Sequence, residues 1–400
     1  MDGPQKHRRF LVILHEASRS GAPLVCLYFL RWLKRSRQCS FDILFLRGGE
    51  LEKEFSLVGP MRKIPWYIGK RWRMPLGLRW LFPRGRQRLL WSLRGIGIRY
   101  TARHRVRREG YDCVICNSLA AVWCLRDLVS PGTPTLLWAH ELEYAITCLS
   151  LPPMKLRSAL HSVQRIIACG RAVRDNLVEN HGVWSAIVDT TTEFVEQSSI
   201  VVRDRSSRPT LLPDIPPGAF IITTVAWIQW RKGPDLFLRM ARHLPREIDG
   251  RPLHFVWVGA ETVPGMIDDL LKRAESAGLI GRMHFLGERQ NPTEIVSVSD
   301  VFVLSSREDP YPLVMIEAAL VYCPIVGFAG SGGAEEFLAG DAGVLVPYGD
   351  AVAMANAVDQ LLRHPDEAKA CAEKAYAKAL LHTSEHSAEK IYEACVKTMA

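Results

Sequence analysis

The residues best suited to chemistry lie in one stretch, Ser305 to Ala319, which reads SSREDPYPLVMIEAA. An apolar run before it predicts a buried strand, and the stretch then opens a helix in which Pro312 suits the first turn. A helix N-terminus presents unpaired N–H groups and the positive end of the helix dipole. The amides of Leu313 and Val314 are therefore predicted to bind a diphosphate.

Acidic residues accompany this helix start. Glu317 lies about one turn into the helix, where a carboxylate can accept hydrogen bonds from ribose hydroxyls beside the phosphates. Asp309 lies eight residues earlier, on the loop after the strand, where it can hold sugar hydroxyls, and Glu308 precedes it. Taken alone, such a pair is more often an N-cap residue and a solvated helix carboxylate. Its meaning therefore depends on the rest of the chain.

At this point the chain resembles the fourth family of glycosyltransferases, the retaining, nucleotide-sugar-dependent enzymes also called glycosyl transferases group 1. That family carries two acidic residues separated by seven others, usually within E-G-F-G-L-V-x-x-E-A. This chain reads R-E-D-P-Y-P-L-V-x-x-E-A. The register favours Asp309 as the first acidic residue, and Glu308 is the alternative.

The segment Arg231-Lys232-Gly233 resembles the family's R-K-G segment, whose lysine neutralises the donor diphosphate. The resemblance implies that Lys232 has this role. An arginine usually stands several residues earlier, but Ala226 and Trp227 occupy that place here. Either Arg231 substitutes for the missing arginine or phosphate binding is weaker.

Further stretches match the family in order. Gly21 corresponds to the Gly-rich turn after the first strand, where the backbone approaches the donor. His140 and Glu141 resemble an H-E pair whose histidine lies near the transferred sugar. The segments Gly332 to Glu336 and Gly343 to Asp350 resemble the family's G-G-x-x-E and G-x-L-V-P-x-x-D. Together the matches run from about residue 9 to residue 350.

The resemblance implies an α/β protein of GT-B type, with two Rossmann-like α/β/α domains and an inter-domain cleft. It also implies a retaining glycosyltransferase that uses a UDP- or GDP-sugar and no further cofactor. In that mechanism Lys232, Arg231 and the helix start at Pro312 stabilise the diphosphate, while Asp309 and His140 orient the sugar. The sequence contains no Asp-x-Asp, the signature of the metal-dependent architecture, so we expect no metal. A glycan or lipid-linked acceptor is expected, as in cell-surface polysaccharide or glycolipid synthesis.

The length and pattern of the chain predict two domains. Its 400 residues exceed the size at which one hydrophobic core keeps growing. Strand and helix patterns alternate on both sides of a polar, Pro-rich stretch, Glu196 to Gly218, which indicates a linker. We predict an acceptor-binding domain over residues 1–195 and a nucleotide-sugar domain over residues 196–382. The resemblance adds a final helix, residues 383–400, that packs back on the first domain.

One segment makes the protein basic. The net charge is +9, and residues 61–109 contain fifteen Lys and Arg against one acidic residue. Among these cations stand Trp66, Trp72, Trp80 and Trp91. Cations with interfacial aromatic residues suit an anionic membrane surface. A solvated basic face in the acceptor domain, or a cleft for an acidic oligosaccharide, is the alternative. No nucleic-acid-binding motif accompanies the charge, so we expect no nucleic acid partner.

Composition and cysteine usage indicate a folded protein of a reducing compartment. Hydrophobic residues make up 48% of the chain and charged residues 23%. The ten cysteines are scattered and no secretory leader precedes them. Cys113 and Cys116 form a C-x2-C, but no second pair follows and the run is typical of a buried strand. We expect a cytoplasmic protein, peripheral to the inner face of the membrane if the basic segment binds lipid.

Three rival interpretations remain. The first is a catalytically inactive GT-B nucleotide-sugar-binding protein, which Ala226 and the aspartate at position 309 support. A nicotinamide-dependent oxidoreductase is disfavoured because no G-x-G-x-x-G follows any predicted strand. A GT-B epimerase or phosphorylase would reveal itself by forming a free sugar or a sugar phosphate.

Overall fold

The computed structural model describes residues 7–64, 106, 109–149 and 153–400. By their internal contacts the residues group into two units. The amino-terminal unit comprises Met1–Ala168, Arg174–Thr191 and Ala388–Ala400, and the carboxyl-terminal unit comprises Cys169–Val173 and Thr192–Ser387.

The sheet of the amino-terminal unit is parallel throughout the described residues. Its order is β3-β2-β1-β4-β5-β6-β7, so the switch point of this doubly wound sheet lies between β1 and β4. The C-x2-C cysteines lie within β4, and both are buried. The strands are β1 (Arg8–Leu14), β2 (Cys39–Phe45), β3 (Met61–Lys63), β4 (Cys113–Asn117), β5 (Thr135–Ala139), β6 (Arg165–Ala168) and β7 (Val188–Thr190).

The carboxyl-terminal unit contains a second sheet, in the order β11-β10-β8-β12-β13-β14. These strands are parallel, and β9 pairs with β10 in the antiparallel sense. The switch point lies between β8 and β12, so ligands are expected beyond the carboxyl ends of these strands. The strands are β8 (Phe220–Val225), β9 (Glu247–Ile248), β10 (Arg251–Val258), β11 (Met283–Phe285), β12 (Val301–Leu304), β13 (Ile325–Phe328) and β14 (Val344–Val346).

Helices alternate with the strands in both units. Four of them, α6, α9, α11 and α15, begin with proline, where the missing N–H costs no intrahelical hydrogen bond. The described helices are α1 (Gly21–Ser36), α2 (Glu52–Val58), α3 (Leu119–Val122), α4 (Leu125–Leu128), α5 (Glu143–Cys148), α6 (Pro153–Leu160), α7 (Arg171–Asp175), α8 (Arg208–Leu211), α9 (Pro234–His243), α10 (Met266–Ser276), α11 (Pro292–Ser297), α12 (Leu313–Leu320), α13 (Gly333–Leu338), α14 (Ala351–Arg363), α15 (Pro365–Ala379) and α16 (Ser384–Met399).

The stretch 196–218 is not a free linker, and that expectation from its composition was wrong. Leu212 and Ile215 belong to a hydrophobic cluster of the carboxyl-terminal unit. Arg208 is 5% exposed and donates to Asp300 Oδ2 at 2.7 Å and to the carbonyl oxygen of Val298, also at 2.7 Å. A buried charge needs such partners. The polar composition therefore includes residues that fix this stretch to the unit.

The final helix, α16, contributes its last residues to the amino-terminal unit. Tyr392 lies edge-on to Phe10, with ring centroids 6.4 Å apart, and packs against Trp32 at the same centroid distance. Its hydroxyl accepts a hydrogen bond from Arg8 Nη1 at 2.7 Å. Arg37 of this unit forms an ion pair with Glu389. These contacts attach the end of the chain to β1 and α1.

Two observations concern contact with a membrane. In the part of the chain that the structure describes, no helix combines the length and the apolar character needed to cross a bilayer. The basic segment 61–109 lies outside the described residues except at its ends. The predicted membrane surface on that segment therefore stays a prediction.

Candidate functional site

The predicted helix start at Leu313 is present at the switch point of the second sheet. The chain leaves β12, forms the loop 305–312 and enters α12, for which Pro312 is the capping residue. The N–H of Met315 donates to the carbonyl oxygen of Pro312 at 3.1 Å. The N–H groups of Leu313 and Val314 have no acceptor among the described residues. These two amides remain available for an anion.

Glu317 is a half-buried carboxyl group on α12. Neither a hydrogen bond nor an ion pair of its side chain occurs among the residues that the structure describes. Burial raises the pKa of Glu317 to about 7. Burial disfavours the ionised form of this carboxyl group, which lies beside the unpaired amides of the helix start. A ligand that donates hydrogen bonds from hydroxyl groups would stabilise it.

Lys232 and Asp309 form a buried ion pair next to this helix start. Asp309 is 6% exposed, and Ser306 Oγ also donates to its carboxylate, at 3.3 Å. Burial alone would raise the pKa of Asp309, but the charges of Lys232 and Arg231 outweigh burial and hold it below the usual value. The sequence suggested an accessible loop carboxylate, whereas the carboxylate of Asp309 is directed at the lysine.

The side chain of Arg231 contacts the backbone carbonyl of Glu308. Arg231 Nη1 donates to the carbonyl oxygen of Glu308 at 2.9 Å and lies 3.8 Å from Asp309 Oδ1. Burial lowers the pKa of Lys232, and Asp309 partly offsets that effect. Of the two acidic candidates, Asp309 is therefore the one whose carboxylate contacts the lysine.

Arg307 ties the two loops of the site together, a role that sequence reasoning did not assign. Its guanidinium donates to both carboxylate oxygens of Asp235, at 2.8 and 2.7 Å, and to the carbonyl oxygen of Trp230 at 2.9 Å. It also lies over the Trp230 ring, 4.7 Å from the centroid. A bidentate pair of this kind fixes geometry as well as charge. The loop carrying Arg231 is thereby held against the loop after β12.

Gly233 allows these loops to approach each other. Its φ is +65°, and a Cβ in this place would overlap the carbonyl oxygen of Ser305. Ser305 Oγ in turn donates to the carbonyl oxygen of Lys232 at 2.9 Å. The glycine of the R-K-G segment is therefore required both by its backbone conformation and by the close contact.

A third loop, after β13, holds Asp309 through its backbone. The N–H of Asp309 donates to the carbonyl oxygen of Ser331 at 2.7 Å, and the N–H of Gly333 donates to that of Asp309 at 3.0 Å. A Cβ on Gly333 would lie 2.5 Å from the carbonyl oxygen of Pro310 and 2.6 Å from the ring of Tyr311. Gly333 thus allows close packing against the loop that precedes α12.

The positions without the expected arginine are part of a tight turn. The N–H of Ala226 donates to the carbonyl oxygen of Val258 at 2.9 Å, and its own carbonyl accepts from Trp257 Nε1 at 2.8 Å. Trp227 is partly exposed. No cation stands at either position, so Arg231 is the arginine of this loop.

In the amino-terminal unit, the turn at Gly21 follows β1 and His140 follows β5, and β4 lies between these two strands. His140 Nε2 is 2.9 Å from Asn117 Oδ1, and Asn117 Nδ2 donates to the carbonyl oxygen of Ala22 at 3.0 Å. A Cβ on Gly21 would meet no atom within 4 Å. Asn117, which links the two predicted residues, was missed, although a polar residue ending a buried strand is a signal for it.

Glu141 fixes the turn that carries His140. Its buried carboxylate accepts hydrogen bonds from the N–H of His140 at 2.9 Å, from the N–H of Leu119 at 3.1 Å and from Ser118 Oγ. Ser118 has a φ of 90°, which is rare for a residue other than glycine. His15 lies nearby, and burial lowers its pKa. Among the described residues its Nδ1 has no hydrogen-bond partner.

The structure thus places the predicted residues in two groups. One group lies in the carboxyl-terminal unit and consists of Arg231, Lys232, Glu308, Asp309, Pro312, Leu313, Val314 and Glu317. The other, Gly21 and His140, lies in the amino-terminal unit. Sequence reasoning missed the residues that position them, chiefly Arg307, Asn117 and the serines at 305 and 306.

Comparisons with known proteins bear on the first group. Residues 213–378 match the sequence model of a family described as Glycosyl transferases group 1. This part of the chain belongs to that family. The group 1 segment contains every residue of the first group.

Curated relatives of the chain carry similar descriptions. A D-inositol 3-phosphate glycosyltransferase of Rhodococcus opacus is 28% identical over 287 residues, which is 68% of this chain and 63% of the relative. A lipopolysaccharide core biosynthesis glycosyltransferase, LpsE, of Rhizobium meliloti is 26% identical over 179 residues, covering 45% of this chain and 48% of the relative. The chain thus aligns with less than two thirds of these relatives' length.

Solved structures confirm the GT-B fold of the chain. The Anabaena HepE structure in complex with UDP-glucose has a TM-score of 0.75 at 17% identity and covers 98% of this chain and 99% of its own. A sucrose-phosphate synthase from Thermosynechococcus elongatus also has a TM-score of 0.75, at 16% identity, and covers 97% of this chain and 98% of its own. The predicted pair of Rossmann-like α/β domains is therefore confirmed.

Proposed function

We propose that the protein is a glycosyltransferase that moves a sugar from a nucleoside diphosphate donor to an acceptor hydroxyl. The observation that carries the proposal is the position of Lys232 and Arg231 beside the first turn of α12, at the switch point of the second sheet. Cations and free amides suit a diphosphate. Glu317 suits the ribose, because its carboxyl group has no partner among the described residues.

In the proposed reaction the acceptor oxygen bonds to the anomeric carbon while the bond from that carbon to the diphosphate oxygen breaks. The electron pair leaves with the nucleoside diphosphate, which also takes up the acceptor's proton. Lys232, Arg231 and the amides of Leu313 and Val314 stabilise the growing negative charge. In the acceptor-binding amino-terminal unit, His140 and Gly21 are proposed to contact the transferred sugar.

Asp309 has two proposed tasks. In the structure described here its carboxylate holds Lys232 in place. A donor diphosphate would compete for the same lysine, and Asp309 would then be available for sugar hydroxyls. Glu308 remains the alternative for the second task.

We further propose that transfer retains the anomeric configuration and needs no metal, since cations of the chain supply the charge. The anomeric proton coupling of the product, measured by NMR, tests the first point. Activity in the presence of a chelator tests the second. An inverted product, or activity that depends on added Mg²⁺, would contradict the respective statement.

UDP- and GDP-sugars are the proposed donors, and a glycan or lipid-linked molecule is the proposed acceptor. UDP-glucose is bound in the HepE structure, and two relatives are described as a D-inositol 3-phosphate glycosyltransferase and a lipopolysaccharide core biosynthesis glycosyltransferase. D-Inositol 3-phosphate therefore belongs in the acceptor panel. An anionic membrane surface, bound by residues 61–109, would bring the protein to a lipid-linked acceptor.

Ligand-observed NMR against UDP-, GDP-, ADP- and dTDP-sugars tests the donor site. Glu317→Ala is expected to weaken binding about tenfold to hundredfold, because a charged hydrogen bond contributes about 1.5–3 kcal/mol. Glu373→Ala, an exposed carboxylate on α15, is the matched control and should bind normally. Equal affinity for the wild type and Glu317→Ala would refute the site.

A catalytically inactive nucleotide-sugar-binding protein is the second candidate. It is favoured by the absence of an arginine at Ala226 and Trp227 and by the pairing of Lys232 with Asp309. Donor binding without sugar transfer or donor hydrolysis, with the acceptor panel and anionic vesicles present, would support this candidate over the enzyme.

A further inference from the structure

A basic groove lies between α9 and α10, and one of the residues that line it, Asp235, pairs with Arg307 of the loop 305–312. Its volume is about 400 Å³. The residues that line it are Asp235, Leu238, Arg239, Arg242, Lys272, Arg273, Ser276 and Ala277. Four of these are cations and one is an acid. The α9 residues recur at helical spacing, so they form one face of that helix.

The cations of this groove are only partly balanced. Arg273 pairs with Asp269, one turn earlier in α10, at 2.8 Å. Arg239, Arg242 and Lys272 have no ion pair among the described residues. Like charges on neighbouring turns repel each other, which disfavours the helix. Three such cations around one concavity attract an anion.

The single acid that lines the groove does not cancel this charge. Both carboxylate oxygens of Asp235 accept hydrogen bonds from Arg307. Burial would raise the pKa of Asp235, but Arg307 holds it below the usual value, so the pair is ionised and mutually compensated. The remaining charge of the groove is therefore positive.

Helix dipoles account for only part of this cluster. Cations are favourable in the last turn of a helix, which explains Arg242 on α9 and Arg273 on α10. Arg239 lies in the middle of α9, and Lys272 lies before the last turn of α10. Neither gains from the dipole, so the groove contains more positive charge than its helices need.

We propose that this groove is a second anion site, which binds a phosphate-bearing ligand independently of the nucleotide-sugar donor. The buried side chain of Leu238 and the half-buried Ala277 provide its apolar surface, while Arg239, Arg242 and Lys272 bind the phosphate oxygens. The phosphate group is carried either by a soluble polyanion or by a lipid headgroup.

A reporter inside the groove tests the proposal without interference from the donor site. Ser276→Cys lines the groove, and a trifluoromethyl label on it gives a ¹⁹F signal that inorganic triphosphate should shift. Labelled wild type identifies the signals of native cysteines such as the exposed Cys148. The same titration is made in Arg239→Glu/Lys272→Glu. Lys369→Glu/Lys390→Glu changes the net charge equally at exposed positions elsewhere.

We expect the half-saturating triphosphate concentration to be about tenfold higher in Arg239→Glu/Lys272→Glu than in the wild type. It should be unchanged in Lys369→Glu/Lys390→Glu. Cosedimentation with vesicles of phosphatidylglycerol and phosphatidylcholine, compared with vesicles of phosphatidylcholine alone, tests whether a lipid headgroup carries the phosphate. The same two variants are compared in this assay. The site is supported if either measurement depends on Arg239 and Lys272. The ¹⁹F titration would then indicate a soluble polyanion, and the cosedimentation a lipid headgroup. The proposal is overturned if triphosphate causes no ¹⁹F shift and both variants sediment equally with the vesicles. It is also overturned if triphosphate binding is weakened equally in both variants. Thermal melts and donor binding confirm that the variants are folded.

Discussion

At the scale of single residues, Glu317 has the most informative environment. Its carboxyl group is half-buried beside the start of α12, and burial raises its pKa to about 7. Near neutral pH it is therefore close to half ionised. A ribose diol donates hydrogen bonds, and these are stronger to a carboxylate than to a neutral acid. Donor binding should consequently favour the ionised form.

Affinity for a nucleotide sugar is therefore expected to rise between pH 6 and pH 8. The diphosphate of a nucleotide sugar does not titrate in this range, so the change reports the protein. Glu317→Gln should bind more weakly and lose most of this pH dependence. Calorimetric titration at several pH values measures both. A wild-type affinity that is flat or falls across this interval would show that Glu317 does not contact the donor as an anion.

The same carboxyl group is expected to lower stability at alkaline pH. An unfolded glutamate titrates near about 4.3, whereas folded Glu317 titrates at about 7. The contribution of its neutral form is fully present below the unfolded value and is lost as pH rises through about 7. Glu317→Gln should therefore be more stable than wild type at pH 8, by about 2 kcal/mol after allowance for partial exposure. Urea unfolding at pH 5 and pH 8 measures the difference, which should fall to about a third at pH 5 and vanish only below the unfolded pKa.

The pair formed by Lys232 and Asp309 predicts strong coupling. Lys232→Met leaves a buried carboxylate without its cation, which costs about 3–5 kcal/mol of unfolding free energy. Adding Asp309→Asn removes the uncompensated charge and should recover most of that loss. A double-mutant cycle by denaturant unfolding gives the coupling energy. Additive effects of the two substitutions would mean that the pair contributes no mutual stabilisation.

At the scale of elements, the donor site consists of loops that lock onto one another. The turn at 230–233 and the loop 305–312 exchange hydrogen bonds through Ser305 and Arg307. Gly233 permits their contact. The geometry of the site therefore depends on the packing of the two loops that follow the neighbouring strands β8 and β12.

Gly233→Ala should separate these loops. Its left-handed φ alone costs about 1 kcal/mol for a residue with a Cβ. Overlap with the Ser305 carbonyl oxygen adds a displacement of the segment that carries Lys232. Gly281→Ala is the matched control, because it has a φ of +70° and open space around its Cβ. Thermal unfolding should show the cost of the left-handed backbone in both variants and a larger loss of stability in Gly233→Ala. Donor titration should show about a tenfold loss of affinity only in Gly233→Ala. An equal affinity for both variants would contradict the argument.

Sequence alone predicted the elements of this site better than its contacts. The helix α12 begins next to Pro312, as predicted, because a proline near a helix start is a local signal. The pairing of Lys232 with Asp309 joins residues 77 positions apart. It depends on β8 and β12 being neighbours, which no local pattern specifies. The role of Arg307 could not be predicted either, because its partner Asp235 is also distant in the sequence.

At the scale of the whole molecule, the alternation of strands and helices predicted two doubly wound units. Composition failed at the junction, because the polar residues around 196–218 obscured Leu212 and Ile215, which are buried. The family resemblance, and not any periodicity, suggested that the final helix returns to the amino-terminal domain. Its last residues do contact that unit, through Tyr392.

The end of the chain is therefore expected to stabilise the amino-terminal unit. Tyr392 is 8% exposed and packs against Phe10 of β1 and Trp32 of α1. Tyr392→Ala should cost about 3 kcal/mol or more through the cavity left behind. Tyr392→Phe should cost about 1 kcal/mol, because it removes only the acceptor of the Arg8 hydrogen bond.

Hydrogen exchange can locate this effect. In Tyr392→Ala the amides of β1 and α1 should exchange faster, while those of β8 in the carboxyl-terminal unit should keep their protection, because each unit has its own core. Glu393→Ala, an exposed neighbour on the same helix, should change neither. Faster exchange in both sheets would instead mean that the units unfold together. Unchanged protection at β1 would mean that α16 adds nothing to the stability of the sheet it contacts.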